Sequence, residues 1–206
     1  RTKKLLESGV LGPIYFTQAN SLWWRGDNYY DLWWRGTWEK EGGGCTFIHA
    51  VHHIDLFLWL MGDLREISAM VSNQNHQNSE VEDVSISTLR FQNGAVGTMI
   101  ASWTNYGPED NSTVINGTEG VLRIYDDPAH TLVLEKKDGT RVCYDVDAIQ
   151  TNDNQTKSGM IDLFVEGLKD PTVQGIDAQS VLTAMRAVFA AIESSETGRR
   201  VKTSEV

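Results

Sequence analysis

The chain has 206 residues, of which 40% are hydrophobic and 22% charged, with a formal charge of -10. That is ordinary globular material, enough for one domain with a substantial core, and its acidic balance argues against a nucleic-acid or anionic-membrane partner, which would need a basic patch. Cys45 and Cys143 make no disulfide framework and read as reduced thiols of a cytoplasmic protein, and no apolar run approaches the roughly 20 residues that span a bilayer.

The chain opens on RTKKLLESGVLGP, where Lys3 to Glu7 read as the last turns of a helix closed by Gly9. Ile14 to Leu22 alternate as a strand. The stretch from Trp23 to Trp38 gathers Trp23, Trp24, Arg25, Tyr29, Tyr30, Trp33, Trp34, Arg35 and Trp38 among glycines and aspartates. Flat aromatic faces beside hydrogen-bonding groups suit a polyhydroxylated ring, with half or more of these aromatics expected in packing instead. Arg35 and Trp38, nearest the glycines that follow, are the better substrate contacts; Tyr30 and Trp34 join them as candidates.

Gly42, Gly43 and Gly44 then lead into a helix whose Phe47, Val51, Ile54, Leu58 and Met61 form one apolar face. From Ile54 on, Leu56, Phe57, Trp59 and Leu60 make the other faces apolar too, which predicts burial nearly all round and an end at Gly62. At its polar start His52 shares a stripe with Ile48 and Asp55, and His49 with His53. Three readings fit these histidines: satisfied packing, a zinc site on His49 and His53, and acid/base chemistry by His52. Without an HExxH glutamate or a second ligand cluster the expected metal content is none. Glycines without Cβ and free amides at a helix start place Gly43 and Gly44 as candidate contacts to a ligand or cofactor.

Strands follow at Arg65 to Ser72, Glu82 to Gln92 and Ala95 to Trp103, the last two joined at Asn93-Gly94, which predicts a type I′ turn with two positive-φ residues. Thr113 to Ile115, Gly120 to Tyr125, Thr131 to Lys137 and Thr140 to Val146 continue the sheet, with a second hairpin across Asp138-Gly139. Residues 147 to 157 read as a loop. Ile161, Phe164, Val165 and Leu168 form a helical stripe, and Asp177 is a good N-cap for a long helix with Val181, Met185, Val188 and Ile192 toward the core. A block of strands with helices before and after argues α+β, an open, largely antiparallel mixed sheet with helices on one face. No GxGxxG follows a strand, so a dinucleotide fingerprint is missing.

The run EGGGxxxxxxxHxIDLxxWLMGD, preceded by WRGTW, resembles the C-terminal domain of the Gfo/Idh/MocA oxidoreductases, the family of glucose-fructose oxidoreductase and inositol dehydrogenase. EDVSISTLRFQNGAVGTMIASW resembles that family's central hairpin, NGTEGVLRI its next strand, and GIDAQSVLTAMRAVFAAIESSETGRRV its closing helix, so the resemblance covers the whole chain. It implies a glyceraldehyde-3-phosphate dehydrogenase-like C-terminal fold, with residues 1–206 forming one substrate-binding and oligomerisation domain cut from a two-domain protein. It also implies hydride transfer between a hydroxyl-bearing carbon of a sugar or cyclitol and NAD or NADP, held mainly by a Rossmann domain that this chain lacks. The family histidine falls on His52, the residue expected to be catalytic. The position four before it, often Asp or Asn in the family, is Ile48, so His49 is the expected second polar contact to substrate and Asp55 a group that orients a neighbour. The resemblance further implies a homo-oligomer formed through the sheet. The alternative is a non-catalytic carbohydrate-binding or structural module of the same fold.

Overall fold

The computed structural model describes residues 1–144, 157–173 and 178–206. In chain order these form α1 (Thr2–Glu7), β1 (Ile14–Leu22), a 3-10 turn (Asp27–Tyr30), α2 (Trp38–Glu41), a π-helical turn (Cys45–Ala50) running directly into α3 (Val51–Met61), β2 (Leu64–Ser72), β3 (Val84–Phe91), β4 (Val96–Ser102), β5 (Thr113–Gly117), β6 (Gly120–Ile124), β7 (Leu132–Lys136), β8 (Arg141–Tyr144), α4 (Lys157–Lys169), α5 (Ala178–Thr197) and β9 (Val201–Lys202). Asp177 and residues 147–156, read above as a helix cap and a loop, lie outside the described residues.

The nine strands make one open sheet in the order β8-β7-β6-β5-β1-β4-β3-β2-β9. Every neighbouring pair is antiparallel except β1 and β4, which run side by side in parallel from Phe16↔Val96 to Leu22↔Ser102. The fold class expected from the sequence, a largely antiparallel mixed sheet in an α+β domain, is the one observed. Register sets the two faces, because side chains alternate along each strand. Thr17, Ala19 and Ser21 share rows with Gly97, Met99 and Ala101, with Leu89, Ser87 and Ser85, and with Ile115 and Thr113; these residues are buried. On the other face Met70, Ile86 and Val96 stand in solvent, 69%, 48% and 39% exposed.

The Asn93-Gly94 hairpin departs from the expected type I′ geometry, and the Asp138-Gly139 hairpin takes the same form. Among the glycines of the two turns, Gly94 has φ 90° and Gly139 φ 88°, but Asn93 and Asp138 keep negative φ. Gly94 N–H donates to the Phe91 carbonyl and Phe91 N–H to the Ala95 carbonyl, and Lys136, Gly139 and Thr140 repeat the pattern. Each loop is therefore a type I turn with glycine in the left-handed position of a bulge. The polar residues are used through their side chains instead: Asn93 Oδ1 accepts from Ala95 N–H while its Nδ2 donates to the Met61 carbonyl at the end of α3, and Asp138 Oδ1 accepts from Thr140 N–H.

The apolar face read along α3 holds over its C-terminal half, where Ile54, Phe57, Leu58, Leu60 and Met61 are buried. Burial all round does not hold. Leu56 is 46% and Trp59 58% exposed, and Lys3 of α1 lies over the Trp59 ring and donates to its carbonyl. A one-sided sheet leaves the far side of its covering helix open, so apolar identity alone does not decide which residues are inside.

In α5 the core face is also shifted from the one expected. Val181 is half exposed, and Ala184, Ala187, Val188, Ala191 and Ser194 point inward. Small side chains let this helix lie close to β2, where Ser194 Oγ accepts from Ala69 N–H and Ser195 Oγ from Val71 N–H, satisfying backbone donors of the sheet edge beyond the short β9. The stripe of α4 remains at the surface, with Ile161, Phe164 and Leu168 all more than half exposed.

Burial of Phe57 against Phe91 (ring centroids 5.5 Å) and exposure of Leu56 next to it make a paired test. Phe57→Ala is expected to cost about 3–5 kcal/mol in urea unfolding, and Leu56→Ser less than about 0.5 kcal/mol.

Candidate functional site

The parallel pair β1/β4 brings two chain segments to one end of the sheet. Beyond the strands the segments stay paired, Trp23 N–H bonding the Ser102 carbonyl and Arg25 N–H that of Trp103, so Trp23 and Trp103 are carried to the same place. The π-turn and α3 lie above them, on the helix-covered face.

The start of that helix is held by Glu82, just ahead of β3 and 2% exposed. Its carboxylate accepts from Gly44 N–H at 2.7 Å and Thr46 N–H at 3.0 Å, and its carbonyl accepts from Cys45 N–H at 2.9 Å. Gly44 passes so close that a Cβ there would overlap the Glu82 carbonyl oxygen. The glycine is thus required by approach to another chain segment, and Gly43 is buried beside Phe47. Of the two glycines expected at a cofactor, Gly44 has its amide taken by Glu82, as have Cys45 and Thr46, so that amide is not free for a dinucleotide phosphate. Cys45 is buried, and burial pushes its thiol well above the ordinary range, so it is inert.

The wider π-turn separates the histidines, and His49 and His53 share no partner. His49 packs against Trp23 at a tilt of 56° (centroids 3.8 Å), and its Nδ1 accepts from the Trp103 indole N–H at 3.2 Å. His53 faces β5, its Nε2 2.9 Å from Thr113 Oγ1. His52 is exposed and makes no hydrogen bond among the described residues; the same is true of Asp55, which therefore orients no neighbour here. Burial, then the charges of Arg25, His52 and His53, push His49 down to about 4. Neutral at ordinary pH, with Nδ1 accepting, it carries its proton on Nε2 and acts as a donor.

Around His49 the side chains close into a ring. The Arg25 guanidinium lies 4.7 Å from the centre of Trp23 and 5.4 Å from that of Tyr29; Tyr29 meets Trp103 at 5.4 Å, and Trp103 bonds back to His49. Arg35 adjoins through Tyr29, stacking on it at 4.3 Å and on Trp34 at 4.0 Å, while Glu41 neutralises its guanidinium at 2.7 Å. Burial raises the Tyr29 phenol, so it stays protonated. Of the other candidates, Tyr30 is buried against His76 and Trp103, and its hydroxyl has no partner among the described residues. Trp38 is separated from Arg35: its indole N–H donates to the Glu80 carbonyl, and it lines a groove of about 170 Å³ with Val71, Ile192 and Ser195.

Sequence reasoning counted Arg25 and Tyr29 in the aromatic loop without singling them out, and passed over Trp103, Glu41 and Glu82. The adjacent acids Glu82 and Asp83 heading the alternating strand β3 were the available signal. Asp83 takes the amides of Gln74, Asn75 and His76 and the Nδ1 of His76, whose Nε2 reaches the Arg25 carbonyl at 2.7 Å. Both ring nitrogens thus face acceptors, and this fully buried pair fixes the loop that carries Arg25.

Comparison with known proteins follows the same lines. The family model for the GFO/IDH/MocA C-terminal domain matches residues 1–123. The chain is 26% identical over 129 residues to 2,7-anhydro-N-acetylneuraminate hydratase of Escherichia coli K12, a match spanning 59% of this chain and 33% of the relative. It is 28% identical over 144 residues to levoglucosan dehydrogenase of Pseudarthrobacter phenanthrenivorans, spanning 58% and 37%. The WlbA dehydrogenase of Bordetella pertussis, solved with NADH and UDP-GlcNAcA, superposes with a TM-score of 0.78 at 25% identity, covering 98% of this chain and 59% of that one. The matches thus span about a third of the curated relatives and about three fifths of that solved chain. Among the described residues no helix is long and apolar enough to cross a membrane.

The depressed histidines fix a pH dependence. Between the ordinary histidine value of 6.5 and the folded value of about 4 for His49, the unfolded state binds more protons, so stability rises with pH across that window and is lost as pH falls through it. His53, lowered by burial, acts in the same direction. Tm measured from pH 7 to 4.5 is expected to fall, and His49→Gln, whose amide oxygen still accepts from Trp103, to flatten the fall.

Proposed function

Because the chain belongs to the GFO/IDH/MocA family, in which it matches the C-terminal domain, we propose that it is the substrate half of an oxidoreductase acting on a hydroxyl-bearing carbon of a sugar, sugar derivative or cyclitol. The observation that carries this reading is the helix start, where a neutral, donating His49 stands beside an aromatic wall with a cation in it and His52, three residues on, is exposed. NAD or NADP, when bound, supplies the acceptor for the hydride leaving carbon, and the nucleotide is held mainly outside this chain. Within the chain, the Nε2–H of His49 donates to a substrate oxygen, Tyr29 and Trp23 offer ring faces to its C–H groups, and His52 takes the hydroxyl proton as the carbonyl forms. Arg35 and Trp34 support this wall through Tyr29. That one relative is a hydratase and another a dehydrogenase leaves the net outcome to the substrate.

The second reading is a sugar-binding module without turnover, favoured by Ile48 at a position often acidic or amide in the family and by the lack of an orienting partner for His52 among the described residues. Kinetics of the whole protein separate the two. His52→Ala is expected to lower kcat by at least about 10² with its Tm unchanged, whereas His49→Ala raises KM more than it lowers kcat. A binding module shows sugar binding by calorimetry and no turnover in either form.

The same proposal extends to assembly. The uncovered sheet face carries Met70, Ile86 and Val96 with half-buried Phe16, Val84 and Ile100, and a second copy of this face is the occupant we propose. Light scattering at tens of micromolar is expected to return an oligomeric mass that Ile86→Arg reduces to the monomer. A monomeric wild type rejects the assembly.

A further inference from the structure

Arg25 differs from its neighbour in what satisfies it. Both Arg25 and Arg35 pack on the ring of Tyr29, but Glu41 neutralises Arg35 at 2.7 Å, and no carboxylate lies within ion-pair distance of Arg25 among the described residues. Of its five N–H donors, Nη1 donates to the Trp24 carbonyl at 3.2 Å, and the guanidinium otherwise lies against the rings of Trp23 and Tyr29. The side chain is half buried, which limits how well water can replace a missing anion, and it sits in a chain of formal charge -10, where acidic residues are abundant. Its position is held from below, because the buried His76 donates to its backbone carbonyl. It packs on Trp23, as does His49, whose free nitrogen is a donor. A charged planar fork beside a neutral donor is the complement of a carboxylate beside a hydroxyl, since guanidinium matches the two oxygens of a carboxylate bidentately.

Resting on the reading of the site as a sugar oxidoreductase's, we propose that Arg25 is its specificity-determining cation and that the substrate is a sugar acid whose carboxylate pairs with Arg25 while a ring hydroxyl meets His49. A phosphate ester presents related anionic oxygens, so the assay includes one. The full-length protein, with NAD⁺ and with NADP⁺, is assayed on D-glucuronate and D-galacturonate, on D-glucose and D-galactose, and on D-glucose 6-phosphate. The uronates are expected to give the highest kcat/KM. Arg25→Gln should raise their KM about 10- to 100-fold, the range for a hydrogen bond to a charged group, with kcat and the KM for the dinucleotide changed less than about threefold. Arg25→Lys, which keeps the charge, should recover part of the loss. An equal rise in KM for uronates and aldoses overturns the proposal in favour of a packing role, and a preference for glucose 6-phosphate or for the uncharged hexoses overturns it while leaving the oxidoreductase reading intact. No turnover and no calorimetric binding of any of these sugars by the wild type overturns the oxidoreductase reading itself, and the proposal with it.

Discussion

The carboxylate of Glu82, at the head of β3, closes on the amides of Gly44 and Thr46, and much of the site hangs from that contact. A carboxylate taken out of water is costly unless its oxygens are filled, and here both are, by donors at the positive end of a helix. An anion in such a place contributes about 0.3 to 1 kcal/mol at a surface and up to about 2 kcal/mol when partly buried. More consequential is the geometry it enforces. The helix must begin where the Glu82 backbone is, Gly44 must lack a Cβ to pass there, and the six-residue π-turn that follows sets His49 against Trp23 and Trp103. Asp83, next in sequence, does the same for the other wall by gathering three amides and His76, which in turn holds the carbonyl of Arg25. Two adjacent acids therefore position the histidine helix on one side and the cationic aromatic loop on the other.

This division depends on the sheet. Successive residues of a strand point to opposite faces, so Glu82 and Asp83, extending β3 at its start, reach in different directions from one short segment. The parallel pairing of β1 with β4 supplies the third element. Both strands end at the same edge, and the segments leaving them remain paired for several residues, which keeps Trp23, Arg25 and Trp103 within reach of the helix start. Had β1 paired antiparallel with β4, Trp23 and Trp103 would lie at opposite ends of the sheet and no ring of side chains would close around His49.

Most elements and the class of the sheet were legible in the sequence, because alternation in strands and the three-four spacing in helices are local properties. Strand β1 and the ending of α3 at Gly62 were read directly. What was not legible depends on which segment meets which. Asn93-Gly94 satisfies the composition of a type I′ turn, yet the Asn93 side chain is drawn to the end of α3 and its backbone stays at negative φ. Leu56 and Trp59 look like core by identity and lie outside because no second layer among the described residues covers that side of α3. Val181 looked inward in a regular helical count, while the alanines one turn on permit the closer approach to β2 that decided the matter. In the site, the histidine helix was found from its residues, but Arg25 was not singled out from Arg35 in the same aromatic loop, and Glu82 was passed over, since an acid at a strand start is common on surfaces.

The two histidines at the helix start are placed in unlike environments, and that difference bears on chemistry. His49 sits between indoles, with one nitrogen accepting and with Arg25 nearby, so burial and charge both hold it neutral. A group so far depressed is a weak base at neutral pH and a dependable donor, suited to fixing a hydroxyl or a developing oxyanion. His52, three residues on, stands in solvent and makes no hydrogen bond among the described residues. The π-turn generates the contrast, because an extra residue in the turn carries His49 inward over Trp23 while the regular helix resuming at Val51 leaves His52 outward. A regular α-helix from Cys45 onward would rotate His49 away from Trp103, expose it, and remove the difference in environment between the two histidines.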